Sequence, residues 1–207
     1  MSLPALSPVR SVGARADVPV VGSTSDEALV RRLCDGDPWA REALYRKHFR
    51  AVFVTALRLL ASRAEAEDVA QDAFLAAFRD VGAIRDPSAI GAWLLKITVR
   101  QVHRRLRRRR LLRALGMDHG IEDGALELLA AEDSGPELRV ELGRLDRILG
   151  ELPSAPRVAW MLRRVNGHSL EEVAAACECS LATAKRRIRA ADDRVREHLH
   201  LGEATDV

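Results

Sequence analysis

Apolar positions recur along most of this chain at helical spacing, and each recurrence is framed by residues that start or stop helices. At 24–27 "TSDE" has the form of a capping box, with Thr24 as N-cap and Glu27 three residues on. Leu29, Val30 and Leu33 follow, and the pattern stops near Gly36. Asp37 then precedes Pro38, an N-cap followed by a proline at the first helical position. The helix this opens carries Leu44, Phe49, Phe53 and Leu57. Ser62 and Glu65 form a second capping box ahead of Val69, Ala73, Phe74, Ala77 and Val81, a stripe that predicts an amphipathic helix. After the break at "RDPS", the segment "AIGAWLLKITVRQVHRRLRRRR" begins apolar, through Ile90, Leu94 and Ile97, and ends basic. Helical periodicity resumes in "ELRVELGRLDRILGEL" and "SAPRVAWMLRRVN". No internal repeat is evident.

The last segment, "HSLEEVAAACECSLATAKRRIRAADDRVREHL", predicts two helices joined by a tight turn. Ser169 and Glu172 cap the first, which turns Leu170, Val173, Ala174 and Cys177 inward. Ser180 caps the second, whose inward face is Leu181, Ala184, Ile188, Ala191 and Val195. Its other faces carry Thr183, Lys185, Arg186, Arg187 and Arg189. A short helix, a turn and a second helix that is basic on its outer side make a helix-turn-helix, which lays the second helix in the DNA major groove. Arginine there pairs with guanine, and lysine or threonine serves phosphates or bases. The turn, "CEC", offers no glycine for a left-handed residue.

Composition sharpens this reading. Aromatic residues are 4% of the 207, so the core rests on Leu, Ala and Val, as suits packed helices. The net charge of +3 hides a strong asymmetry. Residues 100–113 hold eight arginines and no acid, whereas residues 118–141 hold eight acids and one arginine. The arginine run continues a helix whose first half is apolar, so it is a helical surface and not a tail. With no acids to pair along it, that surface calls for an anionic partner. Residues 1–22, rich in Pro, Ser and Gly, are expected to be flexible. Residues 114–138 are expected to form a flexible acidic linker, with a short helix in "GALELLAAE".

Little points to catalysis. The three cysteines, Cys34, Cys177 and Cys179, suggest no disulfide framework. A zinc site needs four ligands, and the C-x-C pair has no second cysteine pair to complete one. Cys177 and Cys179 are expected to pack as small apolar residues. There is no nucleophile–histidine arrangement and no glycine-rich phosphate loop. No cofactor and no metal is expected, and no enzyme activity. No signal peptide or membrane span is read from the sequence, so a cytoplasmic location is expected.

The ordered stretches "AEDVAQDAFLAAFRD" at 66–80, "AIGAWLLKITVRQVHRRLRRR" at 89–109 and "LEEVAAACECSLATAKRRIRAA" at 170–191 resemble the extracytoplasmic-function (ECF) sigma factors of bacterial RNA polymerase. The resemblance covers roughly residues 25–200. It implies an all-α chain of two small helical domains: a region 2 bundle over 23–113 and a region 4 helix-turn-helix over 139–203, joined by the acidic linker. It places core polymerase on Asp68, Gln71, Asp72 and Phe74. It places the promoter −10 element on Trp93, Lys96, Arg100, Gln101, Arg104, Arg105, Arg107 and Arg108, and the −35 element on Ser180, Thr183, Lys185, Arg186, Arg187 and Arg189. The implied partners are core RNA polymerase, promoter DNA, and an anti-sigma factor or other regulatory protein. Members often carry Asn where Arg100 stands, and Arg where Ala190 and Asp192 stand, so base preference is not carried over. A stand-alone helix-turn-helix regulator is the alternative, but it leaves the N-terminal helices without a role. An enzyme with an appended DNA-binding domain has no catalytic constellation to support it.

Overall fold

A computed structural model describes residues 24–117 and 136–203. The expected N-terminal lead-in and the short helix in the acidic linker lie outside the described residues. Those described are helical: α1 (Asp26–Cys34), α2 (Pro38–Leu60), α3 (Arg63–Asp80), α4 (Ile90–Ala114), α5 (Pro136–Glu151), α6 (Ser154–Arg164), α7 (Leu170–Ala176) and α8 (Leu181–Glu203). Two short 3-10 turns, Val81–Ala83 and Pro87–Ala89, connect α3 to α4.

The helix boundaries follow from local chemistry. Ser25, not Thr24, caps α1, its hydroxyl accepting from the Ala28 amide at 3.2 Å. The expected cap is therefore displaced by one residue, since either hydroxyl could serve and the chain starts its helix at Asp26. Asp37 caps α2 through the Trp39 amide, with Pro38 in the first turn as expected. Ser62 caps α3 through the Glu65 amide, but the Glu65 carboxylate reaches Arg109 on α4. At α7 the box is complete, Ser169 and Glu172 each satisfying the other's amide. Gly36, at φ +80°, allows the reversal from α1 into α2.

Helices α1 to α4 enclose a first core of Leu29, Val30, Leu44, Phe74, Ile90 and Leu94, with Ala73 and Ala77 buried along α3 as the stripe predicts; Val69 of the same stripe is buried in a second cluster. Helices α5 to α8 form the second unit, where α6 and α7 pack on α8. Ala184, Ile188, Ala191 and Val195 are buried there. Leu181, expected to turn inward, is instead 45% exposed, because it sits in the first turn of α8, beyond the packed part of the helix.

The two units share a core. Leu59, Val99, Val102 and Leu106 of the first belong to the same buried cluster as Leu149, Val158, Leu162 and Val173 of the second. Polar contacts reinforce the seam. Arg58 Nη1 donates to the Val165 carbonyl at 3.3 Å, and Asn166 Nδ2 to Thr55 Oγ1 at 3.3 Å. Helix α4 packs along α7 and α6, which sets the basic helix of one unit beside the helix-turn-helix of the other.

Candidate nucleic-acid interface

The arginine run is helical throughout and ends at Ala114, where Gly116 takes φ +68°. A helical period of 3.6 spreads its side chains around the axis, and the surroundings sort them. Arg104, Arg107 and Arg108 are exposed. Arg109 is buried, its Nη1 donating to the Leu60 carbonyl at 2.8 Å while it pairs with Glu65. Arg105 is half-buried and faces Asp68 at 3.4 Å and Asp72 at 3.6 Å. Trp93 and Gln101 are half-buried. Arg104, Arg107 and Arg108 are thus open to phosphate, Arg105 is shared with α3, and Arg109 serves the fold.

Helix α3 presents Asp68, Gln71 and Asp72 to solvent, as its polar face predicts. Phe74 is placed differently: only 2% exposed, its ring lies 4.8 Å from that of Tyr45 and 5.8 Å from that of Phe78. It fills the core, so it cannot itself meet a partner in this arrangement. The apolar residue that α3 does expose is its neighbour Leu75, at 60%. Phe74 belongs to the apolar stripe of α3, a signal that outranked its place among the acids; Leu75 lies off that stripe.

In the helix-turn-helix, Ser180 caps α8. Its hydroxyl accepts from the Thr183 amide at 3.2 Å and donates to Thr183 Oγ1 at 2.9 Å. Both hydroxyls are therefore engaged in holding the start of the helix. Lys185, Arg186 and Arg189 are exposed, and Arg189 lies 3.9 Å from Asp193. Arg187 is half-buried and turned toward α4. Burial, then Arg107 and Arg187, push the His103 imidazole below its ordinary pKa. Asp192 does not face outward as a lost arginine would. It accepts from Trp160 Nε1 at 2.8 Å and from Arg164 Nη2 at 2.8 Å, tying α8 to α6.

The residue that the sequence reading left without a role is Glu178. It occupies the turn at φ +50°, the left-handed conformation for which the sequence supplied no glycine. Its carboxylate accepts from Arg100 Nε at 2.5 Å and Nη2 at 2.6 Å, and lies 2.9 Å from Lys96 Nζ. Those two hydrogen-bonded cations, Arg100 ahead of Lys96, hold its pKa down at about 2 against the opposing pull of burial. A missing glycine at a tight turn was the signal that could have singled it out.

Cys177 and Cys179 are partly buried against the core, as expected of small apolar residues. Burial, with Cys179 beside it, pushes the Cys177 thiol up to about 11, with Arg187 opposing. Among the described residues no group of three or more His, Cys, Asp or Glu could hold a metal ion, and no helix is long and apolar enough to cross a membrane.

Two family descriptions match the chain: Sigma-70 region 2 over residues 44–111, and Sigma-70 region 4 over residues 142–191. The RNA polymerase sigma-H factor of Pseudomonas aeruginosa is 31% identical over 170 residues, covering 79% of this chain and 88% of that protein. The ECF RNA polymerase sigma-E factor of Escherichia coli (strain K12) is 32% identical over 174 residues, with the same coverage of 79% and 88%. The fold is similar to the sigma factor RpoE of Bartonella quintana, solved in complex with the anti-sigma factor NepR. The TM-score is 0.57 and the identity 24%, covering 77% of this chain and 96% of that one. It is also similar to CnrH, solved in complex with the cytosolic domain of CnrY. Here the TM-score is 0.60 and the identity 24%, covering 86% of this chain and 99% of that one.

Proposed function

We infer how the surfaces just described divide the work of a sigma factor, for the chain belongs to the ECF sigma factors, the subunits that direct RNA polymerase to promoters. It is an alternative sigma factor that directs transcription initiation. The finer assignment is ours. Helix α3 docks on core polymerase through Asp68, Gln71, Asp72 and the exposed Leu75, with Phe74 supporting that face from beneath. Helix α4 meets the −10 element, with Arg104, Arg107 and Arg108 on phosphates and Trp93, Lys96, Arg100 and Gln101 nearer the helix start. Helix α8 reads the −35 element through Lys185, Arg186, Arg187 and Arg189, behind the cap built by Ser180 and Thr183. The chain carries no chemistry of its own in this reading; the polymerase supplies it, in the cytoplasm. An anti-sigma factor or other regulatory protein completes the set, a reading supported by the similar sigma factor RpoE of Bartonella quintana, solved in complex with the anti-sigma factor NepR.

The observation that carries the assignment is the placement of two exposed basic helices, α4 and α8, in separate units matched in order by regions 2 and 4. The test is reconstitution with core RNA polymerase, scoring promoter-dependent initiation and holoenzyme formation. Asp72→Arg combined with Leu75→Asp is expected to abolish holoenzyme formation while leaving thermal unfolding unchanged. A chain that binds one duplex sequence specifically by itself, yet never associates with core enzyme, would be a stand-alone helix-turn-helix regulator instead.

A further inference from the structure

We propose that Glu178 is an intramolecular mask: from the turn of the −35-reading unit, its carboxylate occupies Lys96 and Arg100 of the −10-reading helix in place of nucleic-acid phosphates. The chain thereby restrains its own DNA binding without a partner protein. This rests on the sigma-factor reading above for the role of α4, and on the geometry for the mask itself.

The geometry has three parts. Lys96 and Arg100 are four residues apart on α4, so their side chains share one face of the helix. Glu178 meets Arg100 through two parallel hydrogen bonds, at 2.5 and 2.6 Å, the forked arrangement that a guanidinium also offers to phosphate. A single carboxylate therefore fills the donor set that a phosphate would use. The second part is the turn. Glu178 and Ala61 are the non-glycine residues with positive φ among those described. A position where glycine would be at ease holds an acid, and strained backbone of this kind persists where a side chain is needed in a fixed place. The third part is the seam. Val99 and Val102 of α4 and Val173 of α7 share one buried cluster, so the acid is delivered to the two cations by a packed contact rather than by a wandering side chain. Arg187 of α8, half-buried and close enough to act on His103, lies on the same seam.

The strength suits a mask and not a lock. The groups are partly exposed, and exposed ion pairs are weak and screened by salt. A run of phosphates brings several charges at once and displaces one carboxylate readily. Inhibition should therefore be felt mainly by the free chain on DNA, and far less in a holoenzyme held on a promoter by many contacts.

The experiment uses the full chain and a short single-stranded DNA of mixed sequence, so that only phosphate binding is read. Affinity is measured across a salt series for wild type, Glu178→Gly and Glu178→Gln. The glycine variant suits the left-handed turn, and the glutamine variant keeps the size of the side chain while removing its charge. Each change is repeated in a Lys96→Gln, Arg100→Gln background. Releasing the mask is expected to raise low-salt affinity about three- to tenfold. The salt slope should steepen by ~0.7 for each cation freed, up to about 1.4. In the background lacking both cations, neither variant should change affinity or slope. Equal slopes for wild type and Glu178→Gly would overturn the mask. So would equal gains in both backgrounds, which would reveal simple repulsion between Glu178 and DNA. Failure of the wild-type chain to bind core polymerase would sink the sigma-factor assignment instead, and leave this comparison readable.

Discussion

Arg109 Nη1 donates a 2.8 Å hydrogen bond to the carbonyl oxygen of Leu60, so the far end of α4 closes the C-terminal end of α2. Leu60 is the last residue of α2, and Ala61 after it turns left-handed at φ +59°. Carbonyls at this end of a helix have no partner within it, and a cation there is favoured by the helix dipole. The same guanidinium pairs with Glu65 in the first turn of α3. One buried arginine thus ties together three helices.

Removing one partner should therefore be costly. Arg109→Ala is expected to destabilise the folded chain by about 3–5 kcal/mol, because it leaves the Glu65 carboxylate and the Leu60 carbonyl without the cation. Chemical denaturation reads the loss. A companion change of Arg109→Met with Glu65→Leu, which removes both charges, should recover most of it. No recovery would mean that the carbonyl contact matters more than the ion pair.

Burial pushes the Asp192 pKa up, but hydrogen bonds from Arg164 and Trp160 outweigh it, and the group titrates below the ordinary aspartate range. A depressed carboxylate contributes stability that is fully present above its unfolded pKa of about 3.9. That contribution is lost as the pH falls through the lower, folded value. Wild type should therefore lose stability on acidification faster than Asp192→Asn does. At neutral pH the Asn variant is expected to be less stable by about 1.5–3 kcal/mol. Thermal unfolding across a pH series checks both statements.

The arginines of α4 should not act alike. Arg104, Arg107 and Arg108 are free to meet phosphates, so changing each to Ala should flatten the salt slope of promoter binding by up to ~0.9. Arg105 already faces Asp68 and Asp72, and Arg105→Ala should flatten it less. Arg186 of α8 is exposed at the expected base-reading face. Its change to Ala should cost about 1–3 kcal/mol on the correct −35 sequence and much less on a scrambled one. Salt titrations of the holoenzyme on both duplexes separate the two behaviours.

The cysteines should differ sharply toward alkylating reagents. Cys34 is exposed, whereas the Cys177 thiol is pushed up to about 11. At pH 8 Cys177 should carry on the order of a hundredfold less thiolate than an ordinary thiol. Mass spectrometry during limited alkylation should find Cys34 modified first, and Cys177 only on unfolding. Early labelling of Cys177 would show that the α7–α8 turn opens in the native state.

The helices and their order were legible in the sequence because caps and periodicity are local. Ser169, Glu172, Asp37 and Pro38 act within one turn of themselves. The stripe from Val69 to Val81 needs only a helical period. The site was legible less fully. Arg109 differs from Arg108 only in facing α2, and no local pattern marks that. Phe74 and Leu75 are adjacent, and which of them is covered depends on where Tyr45 and Phe78 lie. Glu178 meets Arg100 across 78 positions of chain. Such a pairing is set by how the two units pack, and helical periodicity carries no information about it.

The anchoring of Asp192 also bears on how this protein can diversify. Its contacts to Trp160 and Arg164 commit the middle of α8 to the domain's integrity, while Lys185, Arg186 and Arg189 are exposed, Arg189 reaching Asp193 in a long, solvent-screened ion pair at 3.9 Å. If α8 reads the −35 element as proposed, drift or selection can thus rewrite Lys185, Arg186 and Arg189 and redirect the protein to new promoters at little cost to folding, so long as the buried Ile188 between them is kept. The turns beyond them are far less free to vary. A library built to retarget this chain should be randomised over Lys185, Arg186 and Arg189, with the buried Ile188 and the residues from Ala191 onward held constant.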